Sequence, residues 1–383
     1  MNIDFDIFII GGGINGAGIA RDAVGRGLKV ALAEKNKVGS ATSSWSTKLI
    51  HGGLRYLENY EFKLVRESLK ERTIIGNIAP TITKPLPFII PHTPELRSIW
   101  LIRLGLFLYD NIGGKSQIPK SSKINIIDKF PNILKEKYKV GFKYFDLQVD
   151  DKKLVELNIK DAKIKGAKIF ENTKVVNTIR YKDFWEVILS NDTILKTKVI
   201  INASGPWINE VLNDVLKINT LNSLRLVRGS HIITKKLYDE KIAFTLQNYD
   251  KRIVFILPYS KNYTLIGTTE VEVKNPNDLK TTNKEIDYLI SCANKYLKKP
   301  LNKKDIKNTY SGIRPLIEDY NDRATAVTRD YVFDINAENK LAPVLSVYGG
   351  KLTTYRKLSE KALNKLKSSF PKITKPWTHK EKL

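Results

Sequence analysis

The stretch FDIFIIGGGINGAGIARDAVGRGLKVALAE, residues 5–34, decides the fold of this chain. The apolar run Phe5–Ile10 predicts a strand buried on both faces, and the glycine-rich turn after it leads into a helix-like stretch. A second apolar run over residues 28–33 ends at Glu34. The order strand, tight turn, helix, strand and acid predicts a βαβ unit, and hence an α/β domain.

The spacing of Gly11, Gly13 and Gly16 is typical of a turn that binds a dinucleotide. The first glycine permits the tight turn, the second lets backbone amides approach a pyrophosphate, and the third lets helix and strand pack closely. Glu34 ends the next strand, where a carboxylate accepts hydrogen bonds from ribose hydroxyls. Glycine patterns alone are weak evidence, but together with these flanking elements they predict a dinucleotide-binding fold.

Three features favour FAD over NAD as the dinucleotide. The glycine motif lies at the extreme start of the chain, which is typical of flavoproteins. The run VIINASG, residues 199–205, ends in small residues, among them Ala203 and Gly205, where a strand can approach the adenine half. The run GGKLTT, residues 349–354, predicts a second cluster of helix N-terminal amides, suited to the flavin end. The sequence contains no second G-x-G-x-x-G for a pyridine nucleotide.

Beyond residue 34 the chain divides into helical and β-rich segments. Periodicity predicts amphipathic helices over 61–79 and 284–297, and the prolines between 80 and 94 predict an irregular crossing. Strand-like runs fill 174–203 and 229–269. We expect a discontinuous FAD-binding domain and an inserted β-rich substrate-binding cap domain. The expected bounds are 1–65, 146–216 and 309–383 for the first and 66–145 and 217–308 for the second.

Residues 98–109, SIWLIRLGLFLY, are strongly apolar but too short to span a bilayer. We interpret them as a packed core helix, and a helix lying in the membrane interface is the alternative. The chain begins without a basic region followed by a cleavage site, so we expect no secretory signal and a cytoplasmic location.

Composition excludes several classes of protein. The 383 residues carry a formal charge of +25, one cysteine and four histidines. One cysteine excludes a disulfide framework and a cysteine-based metal site, and the histidines lack ligand spacing, so no metal is expected. The scattered lysines favour a solvated basic surface; attraction to anionic lipids and steering of anionic substrates are the alternatives. A nucleic-acid-binding module is least favoured, because such modules concentrate arginines among aromatics.

Motif segments are spread over nearly the whole chain, and KLIHGGLRYLE, residues 48–58, is too specific for coincidence. They are GGGINGAGIARDAVGRGL (11–28), ATSSWSTKLIHGGLRYLENYEFKLV (41–65), GPWIN (205–209), RLVRGSHII (225–233), QNYDKRIVFILPY (247–259), IGTTEVE (266–272), YSGIRPL (310–316), TRDY (328–331) and YGGKLTTYRKL (348–358). Together they resemble the bacterial aerobic (respiratory) FAD-dependent glycerol-3-phosphate dehydrogenase family. Members of that family usually continue into a helical C-terminal domain after the segment that reads KPWTHKEKL here.

The resemblance implies a fold and a reaction. The implied fold is an FAD-binding Rossmann-like domain of the glutathione-reductase or D-amino-acid-oxidase type. The implied reaction is oxidation of sn-glycerol 3-phosphate to dihydroxyacetone phosphate, with electrons passed to a membrane quinone. The resemblance further implies a peripheral location on the inner face of the cytoplasmic membrane, with an anionic membrane surface as partner and no nucleic acid. It leaves open whether the protein is a homodimer. The alternative is a related oxidase that uses oxygen and acts on glycerol 3-phosphate, an amino acid or a hydroxy acid.

This reaction needs a base for the C2 hydroxyl proton, and histidine is the natural base near neutral pH. His51, in the Ile-His-Gly-Gly turn, is the first choice, and His231, in Arg-Gly-Ser-His, is the second. His92 and His379 lie outside the motifs, so we interpret them as structural.

A dianionic phosphate needs cations, and the guanidinium fork matches phosphate oxygens. Arg55 and Arg314 are the leading candidates. Arg329 is weaker, because a local salt bridge explains it equally well. Lys351 could serve the phosphate or the flavin, and Tyr56 is either a substrate ligand or a core tyrosine.

For Thr42, Ser43 and Ser44, helix capping is the alternative to a role in cofactor binding. The full set of predicted cofactor ligands is Gly11, Gly13, Ile14, Asn15, Gly16, Glu34, Thr42, Ser43, Ser44, Ala203, Gly205, Gly350, Lys351, Leu352 and Thr353.

Overall fold

The computed structural model describes residues 2–220, 222–317, 330–338 and 341–383. The amino-terminal unit forms as predicted: strand β1 spans Phe5–Ile10, helix α1 spans Ile14–Gly25 and strand β2 spans Val30–Ala33. The two strands pair in parallel. The glycine turn therefore lies at the carboxyl end of β1, the edge at which parallel α/β sheets bind ligands.

The other elements of the described chain follow in order. The strands are β3 (Leu49–Ile50), β4 (Thr83–His92), β5 (Ser122–Asn125), β6 (Val140–Val149), β7 (Lys168–Phe170), β8 (Val175–Arg180), β9 (Trp185–Leu189), β10 (Ile194–Asn202), β11 (Leu224–Lys235), β12 (Ala243–Gln247), β13 (Ile253–Tyr259), β14 (Tyr263–Gly267), β15 (Val271–Val273), β16 (Ile306–Ile317), β17 (Tyr331–Asn336) and β18 (Val344–Gly349). The helices are α2 (Phe62–Ile78), α3 (Ile99–Asn111), α4 (Ile126–Lys129), α5 (Asp151–Ile164), α6 (Ile208–Glu210), α7 (Asn283–Tyr296) and α8 (Tyr355–Lys365). Short 3-10 helices include Thr42–Ser44 and Leu54–Asn59.

The first sheet has the order β17-β18-β10-β1-β2-β7, and the antiparallel pair β8-β9 joins it at β10. Helices α1, α5 and α8 pack together on one face, where Ile9, Leu154 and Leu358 are fully buried. Phe8 and Trp185 are fully buried in the cluster on the other face. Burial on both faces explains why the sequence of β1 is a continuous apolar run.

The second sheet has the order β15-β11-β14-β13-β12-β4-β6-β3, with β16 on β11 and β5 on β6. Residues of α7 belong to the apolar cluster on one face, and residues of α2 and α3 to the cluster on the other. The predicted fold class, an α/β domain with a β-rich insert, is confirmed. Strand β3 and most of β16 lie in segments predicted for the FAD-binding domain but pair in this sheet, and the domain bounds themselves stay a prediction.

The proline-rich segment 80–94 corrects one expectation, because most of it forms the ten-residue strand β4. Pro85, Pro87 and Pro91 all occupy odd positions in this strand. Successive backbone N–H groups point to opposite edges of a strand, so the three missing donors share one edge. The other edge stays free to pair with β6 along its whole length.

The apolar segment expected to be a core helix forms α3, and only one of its faces is packed. Leu106 and Tyr109 are buried, whereas Trp100, Leu104 and Phe107 are 77%, 56% and 62% exposed. Within the described ranges, none of the helices is long and apolar enough to cross a membrane. The expectation of a packed core helix therefore holds for one face of α3 only, and the other face presents apolar side chains outward.

Candidate active site

A cleft of about 590 Å³ is lined by residues from both sheets. The predicted site residues that border it are Gly11, Gly13, Ile14, Asn15, Glu34, Thr42, Ser43, His51, Arg55, Tyr56, Ala203, Gly205, Arg314, Gly350, Lys351, Leu352 and Thr353. Gly16, Ser44 and His231 do not border it, and Arg329 lies outside the described residues. The fold thus brings most of the predicted site together from the start, middle and end of the chain.

The glycine turn has no room for side chains at two of its positions. Gly11 has φ +108°, and a Cβ there would lie 2.6 Å from the carbonyl oxygen of Ala203. A Cβ on Gly16 would collide with the carbonyl oxygen of Gly11. Gly16 therefore acts from behind the cleft, by letting helix and turn pack closely.

The N-terminal end of helix α1 borders the cleft. Its N-cap residue is Gly13, which has no side chain to cap them, and the amide of Ile14 donates to Ser43 Oγ at 2.9 Å. Ser43 comes from the 3-10 helix that Thr42 begins, whereas the Ser44 hydroxyl is buried and donates to the carbonyl of Gly39. The amides of the first helical turn, which have no acceptor within the helix, and the helix dipole make this end suited to an anion such as a pyrophosphate.

Glu34 joins the end of β2 to the glycine turn. Its Oε2 accepts from the amide of Gly12 at 2.7 Å, and its Oε1 accepts from the amide of Asn36 at 2.9 Å. Carboxylate oxygens have further lone pairs. Because the side chain also borders the cleft, it can accept from ribose hydroxyls there.

The segment after β18 forms the other end of the cleft. Gly349 and Gly350 have φ values of +73° and +95°, and Asn15 Nδ2 donates to the carbonyl of Gly349 at 3.1 Å. The sequence predicted a helix from residue 351, but α8 begins at Tyr355, after a turn in which the amide of Thr354 donates to the carbonyl of Lys351. The amides at this end therefore belong to a turn that packs against α1.

His51 lies beside the segment that follows β18. It is half-buried and borders the cleft, and its amide donates to Thr353 Oγ1 at 3.1 Å. Gly53, two residues later, has φ +74°, a value that favours glycine, and is the N-cap of the 3-10 helix that carries Arg55 and Tyr56. A short segment of the chain thus brings a histidine and a cation to the same cleft.

Three predicted cations border the cleft. The Lys351 ammonium lies 4.0 Å from the centre of the Tyr56 ring and has no hydrogen-bond acceptor in the described part of the chain. Arg314 Nη2 donates to Thr268 Oγ1 at 3.2 Å, and Arg55 borders the same cleft. Such a cluster is suited to bind a dianion. Among the described residues, no group of three His, Cys, Asp or Glu side chains could hold a metal ion.

His231 lies behind the cleft wall. It is 1% exposed, its ring stacks on that of Tyr310, and its Nε2 is 3.0 Å from Thr47 Oγ1. Burial, together with the nearby charges of Arg314 and Lys48, lowers the pKa of His231 well below its usual 6.5. The imidazole is therefore neutral near pH 7, and its Nε2 lies beside the hydroxyl of Thr47, which borders the cleft.

Sequence reasoning missed Thr47, Thr268 and Glu270, which also border the cleft. All three lie inside quoted motif segments, STKL and IGTTEVE, so their place in a motif was the available signal. Hydroxyl and carboxyl side chains in a motif are less diagnostic of a functional role than histidine or arginine.

Comparison with known proteins places this geometry among flavoproteins. The family model described as FAD dependent oxidoreductase matches residues 6–356. The chain is 46% identical to D-erythritol 1-phosphate dehydrogenase of Brucella abortus over 98% of its own length and 76% of that protein. It is 45% identical to aerobic glycerol-3-phosphate dehydrogenase of Escherichia coli K12 over 97% of its own length and 75% of that protein. A glycerol-3-phosphate dehydrogenase from Bacillus halodurans, solved with FAD, superposes with a TM-score of 0.75 at 27% identity, over 97% of this chain and 66% of that one.

Proposed function

The chain belongs to the FAD-dependent oxidoreductases, in the group that contains the glycerol-3-phosphate dehydrogenases, and from this premise we propose that it oxidises sn-glycerol 3-phosphate to dihydroxyacetone phosphate. The observation that carries the proposal is that three cations, Arg55, Arg314 and Lys351, border the same cleft as His51. Cations for a phosphate next to a base for a hydroxyl are what this substrate requires.

The residues present fit FAD as the cofactor. The crowding around Gly11 and the N-terminal end of α1, which borders the cleft, suit a pyrophosphate, and Glu34 suits the adenosine ribose. The turn that ends at Thr353 suits the flavin end, because its amides border the cleft beside His51. FAD, when bound, supplies the hydride acceptor for the oxidation.

The side chains of this protein bind the substrate and move its proton. Arg55 and Arg314 offer guanidinium forks to the phosphate, and the Lys351 ammonium adds a third positive charge. His51 accepts the proton of the C2 hydroxyl while hydride leaves C2. Proton removal from the hydroxyl oxygen and hydride loss from C2 occur on neighbouring atoms, so the base and the cations must be held in a fixed geometry. The short segment that carries both His51 and Arg55 supports this.

A second substrate is favoured by the 46% identity to D-erythritol 1-phosphate dehydrogenase. Both candidate substrates are phosphorylated polyols, so the same cations and base serve either one. The two differ in chain length, and the experiment must therefore compare them directly.

The test is an absorbance spectrum of the purified protein, taken without air before and after each substrate. We expect flavin bands that bleach with glycerol 3-phosphate and persist with glycerol or inorganic phosphate. Faster bleaching with D-erythritol 1-phosphate would make the longer polyol the substrate. A protein without flavin bands after reconstitution with FAD, or bands that neither phosphate ester bleaches, would contradict the proposal.

For the electron acceptor we propose a membrane quinone, reached along α3. Leu101, Leu104 and Leu108 of this helix border the cleft, and Trp100 and Phe107 extend its apolar surface outward. A charge of +25 adds attraction to anionic lipids. We propose that α3 rests on the inner face of the cytoplasmic membrane, with the cleft mouth open to the acceptor.

Changing both Trp100 and Phe107 to glutamate should lower the fraction of protein bound to anionic lipid vesicles about 10-fold or more, since two exposed aromatic anchors are lost. Quinone reduction should fall in parallel, and reduction of a soluble dye should not. Ile164→Glu is the matched control, because Ile164 is 72% exposed on α5. Unchanged vesicle binding would contradict the membrane proposal, and peroxide formed in step with product would identify oxygen as the acceptor.

A further inference from the structure

A chain of buried hydrogen bonds ends on the turn that carries the proposed base. The amide of Gly52 donates to the Tyr109 hydroxyl at 2.7 Å and, over the longer distance of 3.4 Å, to Asp146 Oδ1. That hydroxyl donates to the Asp146 carboxylate, whose oxygens lie at 2.7 and 2.9 Å. Arg72 Nη1 donates to Asp146 Oδ1 at 2.8 Å. Tyr109, Asp146 and Arg72 are 2%, 3% and 6% exposed, so water does not compete for these bonds.

The protonation of Tyr109 sets the donor and acceptor roles in this series of hydrogen bonds. Burial, reinforced by Asp146, raises the pKa of Tyr109 well above its usual value, so the hydroxyl keeps its proton. Arg72 fixes the carboxylate that accepts this proton in a hydrogen bond. The lone pairs of the hydroxyl are therefore turned toward Gly52.

The turn needs such an anchor because glycine leaves it free to move. Two consecutive glycines, Gly52 and Gly53, follow His51, and glycine loses more conformational freedom on folding than other residues. A Cβ on Gly52 would lie 2.7 Å from Tyr109 Cε2, so no larger residue could stiffen the turn at that position. The amide of His51 is tied to Thr353, and the amide of Gly52 to Tyr109.

We propose that Tyr109 is a positioning residue, which holds the Gly52 amide and thereby places His51 and Arg55 for the reaction. The proposal rests on the proposed function for the roles of His51 and Arg55. Asp146 itself borders the cleft, whereas Tyr109 does not. A change at Tyr109 therefore acts on the turn without removing a group that could touch substrate.

The test is Tyr109→Phe, which removes the hydroxyl and keeps the ring that packs edge-on against Tyr144. We expect kcat/KM for glycerol 3-phosphate to fall about 10- to 100-fold, as a small displacement of reacting groups does. FAD content and reduction by dithionite should match wild type. In the FAD-free and FAD-loaded proteins alike, backbone hydrogen exchange over residues 49–57 should become at least severalfold faster, with no general increase elsewhere.

Tyr238→Phe is the matched control, because Tyr238 is also buried and its hydroxyl donates to the carbonyl of Ile242 in a different apolar cluster. It should lower thermal stability to a similar extent, with kcat/KM and exchange over residues 49–57 unchanged. Equal loss of activity in both variants, or unchanged kcat/KM in Tyr109→Phe, would overturn the proposal. If glycerol 3-phosphate does not reduce the wild-type flavin, the proposed function fails. The anchoring role is still tested by hydrogen exchange in Tyr109→Phe: faster exchange over residues 49–57 supports it, and unchanged exchange refutes it.

Discussion

Replacing Arg314 with alanine should lower kcat/KM for glycerol 3-phosphate about 10²- to 10³-fold and leave the bound FAD in place. The guanidinium lies across the backbone of Gly229, where a Cβ would come within 2.5 Å of Nη2, and it is steadied by Thr268. It is thus held ready for an anion before substrate arrives. Removing one partner of a buried charged pair costs about 2–5 kcal/mol.

The loss should appear mainly in KM, because the phosphate is bound in the ground state and in the transition state alike. Arg314→Lys should recover part of the affinity, since it restores the charge without the planar fork. Arg225→Ala is the matched control, because Arg225 lies on the paired strand and its guanidinium bonds Glu272. If kcat/KM of Arg314→Ala equals that of wild type, Arg314 is not a phosphate ligand.

Local patterns were enough to predict the amino-terminal unit. Strand β1, the glycine turn and Glu34 are neighbours in sequence, so one window of the chain contains the whole signal. Strand β4 was not predictable in the same way, because Pro85 and Pro87 break a helix and, in most contexts, a sheet. Only the pairing partners show how the strand forms: it pairs with β6 along its whole length and with β12 only at Phe88 and Ile89.

The two faces of α3 were not separable either. Leu106 and Phe107 are equally apolar, yet one is buried and the other is 62% exposed. An apolar residue is buried only if another part of the protein packs against it, and the elements that pack against α3 are distant in sequence. Composition therefore predicted an apolar helix correctly but could not say which face is packed.

In the candidate site, too, local motifs were predictable and long-range contacts were not. Most of the residues chosen from motifs, such as Arg55 and Lys351, do border the cleft. The contacts that hold them do not appear in any motif, because Gly52 lies 57 positions from Tyr109 and 94 from Asp146. Long-range partners of this kind are set by the packing of β6 and α3, which the sequence alone does not define.

Replacing His51 with alanine should slow reduction of the bound flavin by glycerol 3-phosphate about 10²- to 10⁴-fold, the range over which a general base contributes. Dithionite should still reduce the flavin, because it needs neither base nor substrate site. The substrate KM should change little, since the phosphate ligands remain. The measurement is a single-turnover reduction without air, followed by flavin absorbance.

His231→Gln is the paired variant. It should slow reduction of the flavin by no more than about 10-fold, because this imidazole does not border the cleft and lies within hydrogen-bond distance of Thr47 rather than of the substrate. Glutamine keeps a hydrogen-bonding group near Thr47 while removing the ring. The opposite ranking, with His231→Gln inactive and His51→Ala active, would transfer the base to His231. The proton would then have to pass through the Thr47 hydroxyl, which is the group that joins that ring to the cleft. Thr47→Val should in that case be as slow as His231→Gln, whereas with His51 as the base it should remain close to wild type.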